Sequence, residues 1–351
     1  MIFNNTVLWL TPRSVTVFSL HRSPWSLFLG IFLLVGLLVS TSPAAQAKTV
    51  RLSILMVSDA RKAPVDGLKD ALLAHAAEEG HTFIYEIKNA AGDRSKLAGM
   101  AAEIIAEKPD VAIAGGGVEA DALLAASAGT NIPVVFLSVS SSVDRGIVAG
   151  MTSSANNFTG IDTNDTQLTA KRLWFIRKIL PDAQKVFCFH SPSIVPSGKS
   201  LAVARQSAIE LGFEVQVAEV ESEADLKKAI TTLSRATTDV ILLLATPLSD
   251  QALRPILLPR ALEENIPIFG YGQTTVENGA FASYSGSRYA NGRQAARLIH
   301  KILAGTAPKE IPIETPEKLE LIINKALVAK LGMKLPARVW RMADQIVDIQ
   351  F

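Results

Sequence analysis

The feature that most constrains the fold is a regular alternation of short apolar runs with stretches of helical spacing. Val50–Val57 is apolar and ends at turn-prone Ser58 and Asp59, and apolar residues with helical spacing follow at Val65–Leu73. Such a pair predicts a strand and then a helix. Repeated strand-helix units predict a parallel sheet covered by helices on both faces. The next predicted strands are Phe83–Ile87, Val111–Ala114 and Val134–Leu137, and the helices between them are Leu97–Ile105 and Ala120–Ala126.

This alternation breaks at Phe158–Thr163 and then begins again after a long helix that ends before Pro181. The chain therefore contains two similar α/β halves, followed by a few late elements. The second half has predicted strands at Val186–Phe189, Glu214–Val220, Val240–Ala245 and Ile268–Tyr271, with helices at Leu201–Leu211, Ala224–Leu233 and Gln251–Leu262. The late elements are strands at Phe281–Tyr284 and Leu319–Ile323, a helix at Tyr289–Leu303 and a short helix from Lys325.

Assigning the late elements to the first half makes the two halves equal in size. We therefore predict an α/β protein with two doubly wound, Rossmann-like domains, domain I comprising 48–158 plus 286–351 and domain II comprising 159–285. The chain would cross between them near 158–163 and 281–286, and a third crossing near 312–318 is left open. Several crossings form a hinge, and ligands of open α/β sheets bind beyond the carboxyl ends of the strands.

The first 47 residues predict a cleavable signal peptide. Arg13 and Arg22 but no acidic residue precede the apolar run Leu27–Val39, and the small-x-small sequence Ala45-Gln46-Ala47 follows. An uncleaved membrane anchor is the alternative, but this run is shorter than the roughly 20 residues that a spanning helix needs. We expect cleavage after Ala47 and a periplasmic location. No cysteine stands just after the apolar run, so we expect no lipid anchor.

Charge and motif content exclude several classes of function. The chain has 35 basic and 33 acidic residues, a balance that gives no electrostatic basis for nucleic-acid binding. The single cysteine, Cys188, lies in an apolar run, so we expect a buried thiol and no disulfide within the chain. Neither metal-ligand spacing nor a Gly-x-Ser-x-Gly motif occurs. We therefore expect a monomeric protein that is not an enzyme and that holds no cofactor or metal.

The loops that follow the strands supply the candidate ligand-binding residues. Gly115-Gly116-Gly117 separates a strand from a helix, so its amides are either anion donors or simply a tight turn. Other strand ends carry hydroxyls, two aspartates, one histidine and two tyrosines. The hydroxyls and aspartates are candidates for polar contacts with a ligand, or they cap helices and turns. The tyrosine rings are candidates for stacking on a ligand, or they pack in the core. The predicted ligand-binding residues are Ser58, Asp59, Gly116, Gly117, Ser138, Ser140, Ser141, Asp162, His190, Thr246, Tyr271 and Tyr284.

Five segments of the chain carry a further signal through their order and spacing, namely Asp66–Lys69, Asn89–Asp93, Asn157–Gly160, Gly292–Ala296 and Glu314–Asn324. Together they resemble the type I periplasmic binding proteins of ABC transporters, in the branch that includes tryptophan and tyrosine transport components. This resemblance covers essentially the whole chain after residue 47. It implies a protein that closes like a hinge over a small solute and delivers the solute to a membrane permease.

Two departures from the branch bear on the ligand. Ser140-Ser141-Ser142 stands where members commonly carry Thr-Asp-Pro, and Gly270-Tyr271-Gly272 stands where they carry Gly-Ser-Asp. Two carboxylates that could hold an amino group are thus missing, which weakens the expectation of an amino-acid ligand. A periplasmic sensor that presents its closed form to a membrane receptor is the alternative function. The signal peptide and the lack of a DNA-binding headpiece argue against a transcription regulator of the same fold.

Overall fold

Two β-sheets organise the part of the chain that the computed structural model describes, namely residues 48–244, 246 and 252–351, with the backbone alone described at 75–79. The predicted signal peptide at 1–47 lies outside the described residues. Among those described, no helix has the length and apolar character to cross a membrane. Both sheets are covered by helices, as expected for strands that are apolar on both faces.

The first sheet has five parallel strands in the order β2-β1-β3-β4-β5. Its inner strands are almost wholly buried, and Val111–Ala114 lies where the sequence predicts a strand. Its elements are β1 (Lys48–Met56), α1 (Lys62–Glu79), β2 (His81–Asn89), α2 (Leu97–Ala106), β3 (Val111–Ala114), α3 (Gly117–Ala126), β4 (Val134–Val139) and β5 (Phe158–Asp162), with 3-10 turns at Asp59–Arg61 and Arg94–Lys96.

The second sheet has seven strands in the order β12-β11-β10-β9-β8-β6-β7, and β11 is antiparallel to β10. The remaining elements, in chain order, are α4 (Asp165–Ile179), β6 (Lys185–His190), α5 (Val195–Leu211), β7 (Glu214–Glu219), α6 (Glu223–Ile230), β8 (Val240–Leu242), a π-helical turn (Leu253–Leu257), α7 (Leu258–Glu263), β9 (Ile268–Gly270), α8 (Gln273–Glu277), β10 (Ala282–Gly286), α9 (Arg288–Leu303), a 3-10 turn (Pro308–Glu310), β11 (Leu319–Asn324), α10 (Lys325–Lys330), α11 (Ala337–Trp340) and β12 (Gln345–Val347).

The pairing of β11 corrects the predicted assignment of 286–351 to domain I. Helix α9 and the segment after it as far as Ile313 pack on the first sheet, whereas β11 pairs with β10 in the register Ala282↔Ile323 and β12 pairs with β11. Leu321 and Ile323 are buried in the apolar cluster that contains Phe281. An apolar run is equally compatible with either sheet, so periodicity alone could not assign this strand.

Helix α9 covers the first sheet by crossing α1 at very short range. A Cβ atom at Gly67 would lie 2.0 Å from the carbonyl oxygen of Tyr289, and one at Gly292 would lie 1.8 Å from that of Pro64. Both positions therefore admit only glycine without a shift of backbone. This contact explains why glycine stands in two of the family-like segments, since each glycine receives the backbone of the opposite helix.

Three segments of the described chain pass between the sheets, and hydrogen bonds join them. Asp162 N donates to Glu314 O at 2.8 Å and Glu314 N donates to Gly160 O at 3.0 Å. Ser287 N donates to Lys318 O at 2.9 Å. The third crossing that the sequence left open therefore exists, and it runs beside the other two.

Candidate functional site

A cavity of about 220 Å³ lies between the carboxyl ends of the two sheets. Its walls come from the loops after β1, β2, β3 and β4 on one side and from those after β6, β8 and β9 on the other, with the crossings at one end. Its volume is below the range of about 300 to 1,000 Å³ typical of drug-sized ligand sites, so it suits a small solute. Its lining residues are Arg61, Arg94, Gly117, Val118, Ser138, Ser140, Arg145, Thr163, Asp165, Ile194, Pro196, Thr246, Tyr271, Gly272, Ser285, Gly286, Arg288 and Asn291.

The triple-glycine turn makes room for the side chain of Arg61. A Cβ atom at Gly116 would lie 2.5 Å from Cζ of Arg61, and one at Gly115 would lie 3.0 Å from its Cγ. Arg61 Nε donates to Oε1 of the fully buried Glu119 at 2.8 Å, and the amide of Val57 donates to the same oxygen at 2.9 Å. Glu119 therefore holds Arg61 flat against the glycines, at the edge of the cavity.

The third glycine of the turn receives a second guanidinium. A Cβ atom at Gly117 would lie 3.1 Å from Cζ of Arg145, whose Nη2 donates to Asp121. Arg61 and Arg145 thus lie against two consecutive glycines at the start of α3. We predicted that these amides bind an anion or form a tight turn, and the glycines are found to accommodate two arginine side chains.

Two buried polar atoms of the lining residues have no hydrogen-bond partner in the described structure. They are Oγ of Ser140 and Oδ1 of Asn291, and Asn291 is only 1% exposed. Asn291 Nδ2 donates to Oγ of Ser138 at 3.1 Å, which fixes the amide plane. A buried polar atom without a partner is costly, so two such atoms in residues that line one cavity favour a ligand that supplies polar partners.

The base of the cavity on the second-sheet side is held by Arg172, which is 1% exposed. Its Nη2 donates to Oδ1 of Asp165 at 2.6 Å and to Tyr271 O at 3.1 Å, and its Nη1 donates to Asp165 O at 3.0 Å. Its Nε donates to Tyr284 O at 2.9 Å. One buried side chain on α4 therefore ties the start of that helix to the ends of β9 and β10.

Five predicted site residues line the cavity, and a sixth adjoins it. Each follows or ends a strand, where the sequence predicts the ligand-facing edge. The five are Gly117, Ser138, Ser140, Thr246 and Tyr271, and Gly116 lies directly behind Gly117 beneath Arg61.

Residues predicted at the end of β1 and at the first crossing lie outside the cavity lining. Ser58 caps the 3-10 turn, and Asp59 is exposed, where it pairs with Lys62 at 2.8 Å. That pairing lowers the pKa of Asp59. Asp162 is buried and accepts hydrogen bonds from Ser142 N and Oγ, each at 2.6 Å, and from Asn164 N at 2.9 Å. The carboxylate thus orders the crossing.

The other three predicted residues also make contacts within the protein. Ser141 Oγ lies 3.4 Å from Thr166 Oγ1, and His190 Nδ1 lies 3.1 Å from Ser197 Oγ. The ring of Tyr284 packs against Phe175 at a centroid distance of 4.6 Å. None of the three is among the residues that line the described cavity.

Sequence reasoning missed the four arginines of the lining. One arginine follows the end of each of β1, β2, β4 and β10 within six residues, and this recurrence is the signal that could have found them. Asn291 was missed because it stands one turn inside α9 rather than in a loop. The missed lining residues with polar side chains are Arg61, Arg94, Arg145, Thr163, Asp165, Ser285, Arg288 and Asn291.

The described residues hold little that would suit catalysis. They contain no group of three metal-ligating side chains. Cys188 is fully buried, and its burial raises the pKa of its thiol to about 12, so the thiolate needed for nucleophilic attack is not formed near neutral pH. The geometry instead provides a polar, positively charged recess between two sheets.

Two α/β lobes joined by three crossings, with a polar cavity between them, define a two-lobed solute-binding protein. Residues 49–347 match the family model described as ABC transporter substrate binding protein. The chain belongs to this family. A relative, the "Tyrosine-binding protein" of Clostridioides difficile, is 25% identical over 268 residues, which is 76% of each chain.

Solved structures resemble this chain over most of its length. A conserved domain protein of Vibrio cholerae has a TM-score of 0.72 at 26% identity, covering 85% of this chain and 100% of that one. An ABC domain of Streptococcus pneumoniae in complex with L-Trp has a TM-score of 0.72 at 19% identity, covering 86% and 100%. A ligand-free, open substrate-binding protein with adhesive properties from Clostridium difficile has a TM-score of 0.69 at 22% identity, again covering 86% and 100%.

These comparisons confirm three predictions. The family is the one that the five segments indicated, and the fold is the two-domain type I periplasmic binding protein fold. The family and its members are solute-binding proteins, which confirms the prediction that the chain is not an enzyme.

Proposed function

We propose that this protein binds a small solute in the cavity between its two sheets and delivers the solute to the permease of an ABC transporter. The observation that carries the proposal is the cavity itself, in which Ser140 Oγ and Asn291 Oδ1 are buried without partners in the described structure. Family membership supports transport. One similar protein is called tyrosine-binding and another was solved in complex with L-Trp, which supports a small polar or aromatic solute.

The proposal includes a hinge at the three crossings. Lys199 on α5 pairs with Asp144 in the loop after β4, so this contact joins the two lobes at the rim. The sheet pairings support a revised division, with domain I at 48–162 plus 288–313 and domain II at 163–287 plus 319–351. We also propose export by cleavage of residues 1–47, a periplasmic location without a lipid anchor, and a monomeric state.

A thermal-shift screen of small amino acids, organic acids and nucleosides tests solute binding. A true ligand at a hundredfold excess over its Kd adds about 2.7 kcal/mol to the free energy of unfolding, because it binds only the folded state. Gly272→Leu should abolish this shift. A Cβ atom at Gly272 meets only Ser285 Oγ, another lining atom, at 3.8 Å, so the added side chain fills the cavity.

Gly99→Leu is the matched control, because Gly99 is exposed on α2 and nothing lies within 4 Å of a Cβ atom there. It should keep the full ligand-induced shift. A shift that survives in Gly272→Leu would place the ligand elsewhere and contradict the proposed site.

A further inference from the structure

Positive charge exceeds negative charge around the cavity. Four arginines line it, and of the described lining residues Asp165 alone is acidic. With Arg172 and the carboxylates of Glu119, Asp121 and Asp162 behind the wall, five guanidinium groups lie near four carboxylates. An excess of one positive charge in a recess between low-dielectric lobes attracts an anion and repels a cation.

The nearby carboxylates are already committed to protein partners. Asp165 is held by Arg172 at 2.6 Å, and Glu119 is fully buried and pairs with Arg61 through Oε1, while its Oε2 has no hydrogen-bond partner in the described structure. Asp162 accepts hydrogen bonds from two amides and one hydroxyl, and it does not line the cavity. A ligand ammonium group would have to displace one of these partners or reach Glu119, which is fully buried and does not line the cavity, so recognition of an ammonium is unfavourable within the described site.

We propose that the solute is a small organic acid whose carboxylate is held by Arg61 and Arg145, and that no ammonium group is needed for its recognition. This inference rests on the proposed function, since it names the class of solute for the same cavity. An organic acid without an ammonium group would distinguish the solute of this chain from the amino acids that two similar proteins bind, one called tyrosine-binding and one solved in complex with L-Trp.

The position of the two arginines supports a carboxylate in particular. Their guanidinium groups lie against consecutive glycines and both line the cavity, and guanidinium donors match the planar, two-oxygen geometry of a carboxylate. The start of α3 lies at the same point and adds the partial positive charge of a helix N-terminus. Ser140 Oγ and Asn291 Oδ1 then provide neutral hydrogen bonds for a hydroxyl or a similar group elsewhere on the solute.

Binding of matched solutes tests the proposal. One set is hydroxyphenylpropanoate, its primary amide, L-tyrosine and tyramine, and a second set is methylpentanoate, its amide, L-leucine and methylbutylamine. Calorimetry with the ligand-stripped protein should show that an acid binds at least as tightly as the amino acid of the same skeleton, while its amide and amine bind at least tenfold more weakly. Tighter binding of the amino acid, amide or amine would overturn the inference while leaving solute binding intact.

Absence of binding by every member of both sets, together with an empty thermal-shift screen, would instead overturn the proposed function and this inference with it. The two failures are therefore distinguishable.

Substitutions at Arg145 test where the carboxylate of the solute binds. Arg145→Gln should weaken binding of the acid about tenfold or more, the usual effect of losing a hydrogen bond to a charged group. Its partner Asp121 is 45% exposed, so the melting temperature of the free protein should change little. Arg145→Lys should recover part of the affinity.

Arg338→Gln, at an exposed arginine on α11, should leave binding unchanged. Unaltered affinity of Arg145→Gln for the acid would refute the assignment.

Discussion

At the scale of single residues, Arg172 makes the largest set of contacts beneath the cavity. All three of its nitrogens donate hydrogen bonds, and its acceptors are backbone or carboxylate oxygens at the start of α4 and at the ends of β9 and β10. A buried charge with several partners is rarely a net gain over an apolar side chain of similar volume, but removing it leaves its partners unsatisfied. Arg172 therefore positions Asp165 and Tyr271, which line the cavity.

Arg172→Met should lower the free energy of unfolding by about 3 to 5 kcal/mol, because it leaves the carboxylate of Asp165 and the carbonyls of Tyr271 and Tyr284 without their donor. Urea denaturation followed by circular dichroism measures the change. Arg338→Met, at an exposed site, should stay within about 0.5 kcal/mol of the parent. Equal midpoints for the two variants would show that the buried arginine does not stabilise the fold.

Single residues also show which part of the site could be predicted from the sequence. Strand ends were recognisable from the apolar runs before them, so Ser138, Ser140 and Tyr271 could be predicted at the cavity. Which of two adjacent side chains enters the cavity depends on strand register, and at β10 Ser285 lines it while Tyr284 packs on Phe175. A long arginine side chain reaches the cavity from several residues away, so position relative to a strand end locates it poorly.

At the scale of elements, the crossing of α1 and α9 attaches a late helix to the first sheet. The contact depends on backbone approach through Gly67 and Gly292 rather than on large apolar side chains. The sequence showed both glycines but not their mutual contact, because they lie more than 200 positions apart. In the same way, the apolar run of β11 predicted a strand but did not indicate which sheet the strand joins.

Gly292→Ala should destabilise the protein by about 1 to 3 kcal/mol, the usual cost of adding a methyl group to a filled interface. The added carbon would lie 1.8 Å from the carbonyl oxygen of Pro64, so the helices must separate. Gly99→Ala, on α2 with open space around it, should instead stabilise by about 0.5 to 1 kcal/mol. Thermal or urea unfolding should show changes in the free energy of unfolding that have opposite signs in the two variants. Changes of the same sign would contradict this explanation of the helix contact.

At the scale of the whole molecule, the proposed hinge at the three crossings predicts that the lobes rotate toward each other when the solute binds. Small-angle scattering should show a smaller radius of gyration with saturating ligand than without it. The Gly272→Leu variant, whose cavity is filled, should show no ligand-dependent change. An unchanged radius in the parent protein under saturating ligand would argue against hinge closure.

The late strands have one more consequence at this scale. β1 belongs to the first sheet and β12 to the second, so Lys48 and Val347 are carried by different lobes. A donor dye at one and an acceptor dye at the other would report lobe closure as a change in energy transfer. The connectivity of this chain thus suits it to conversion into a fluorescent sensor for its own solute.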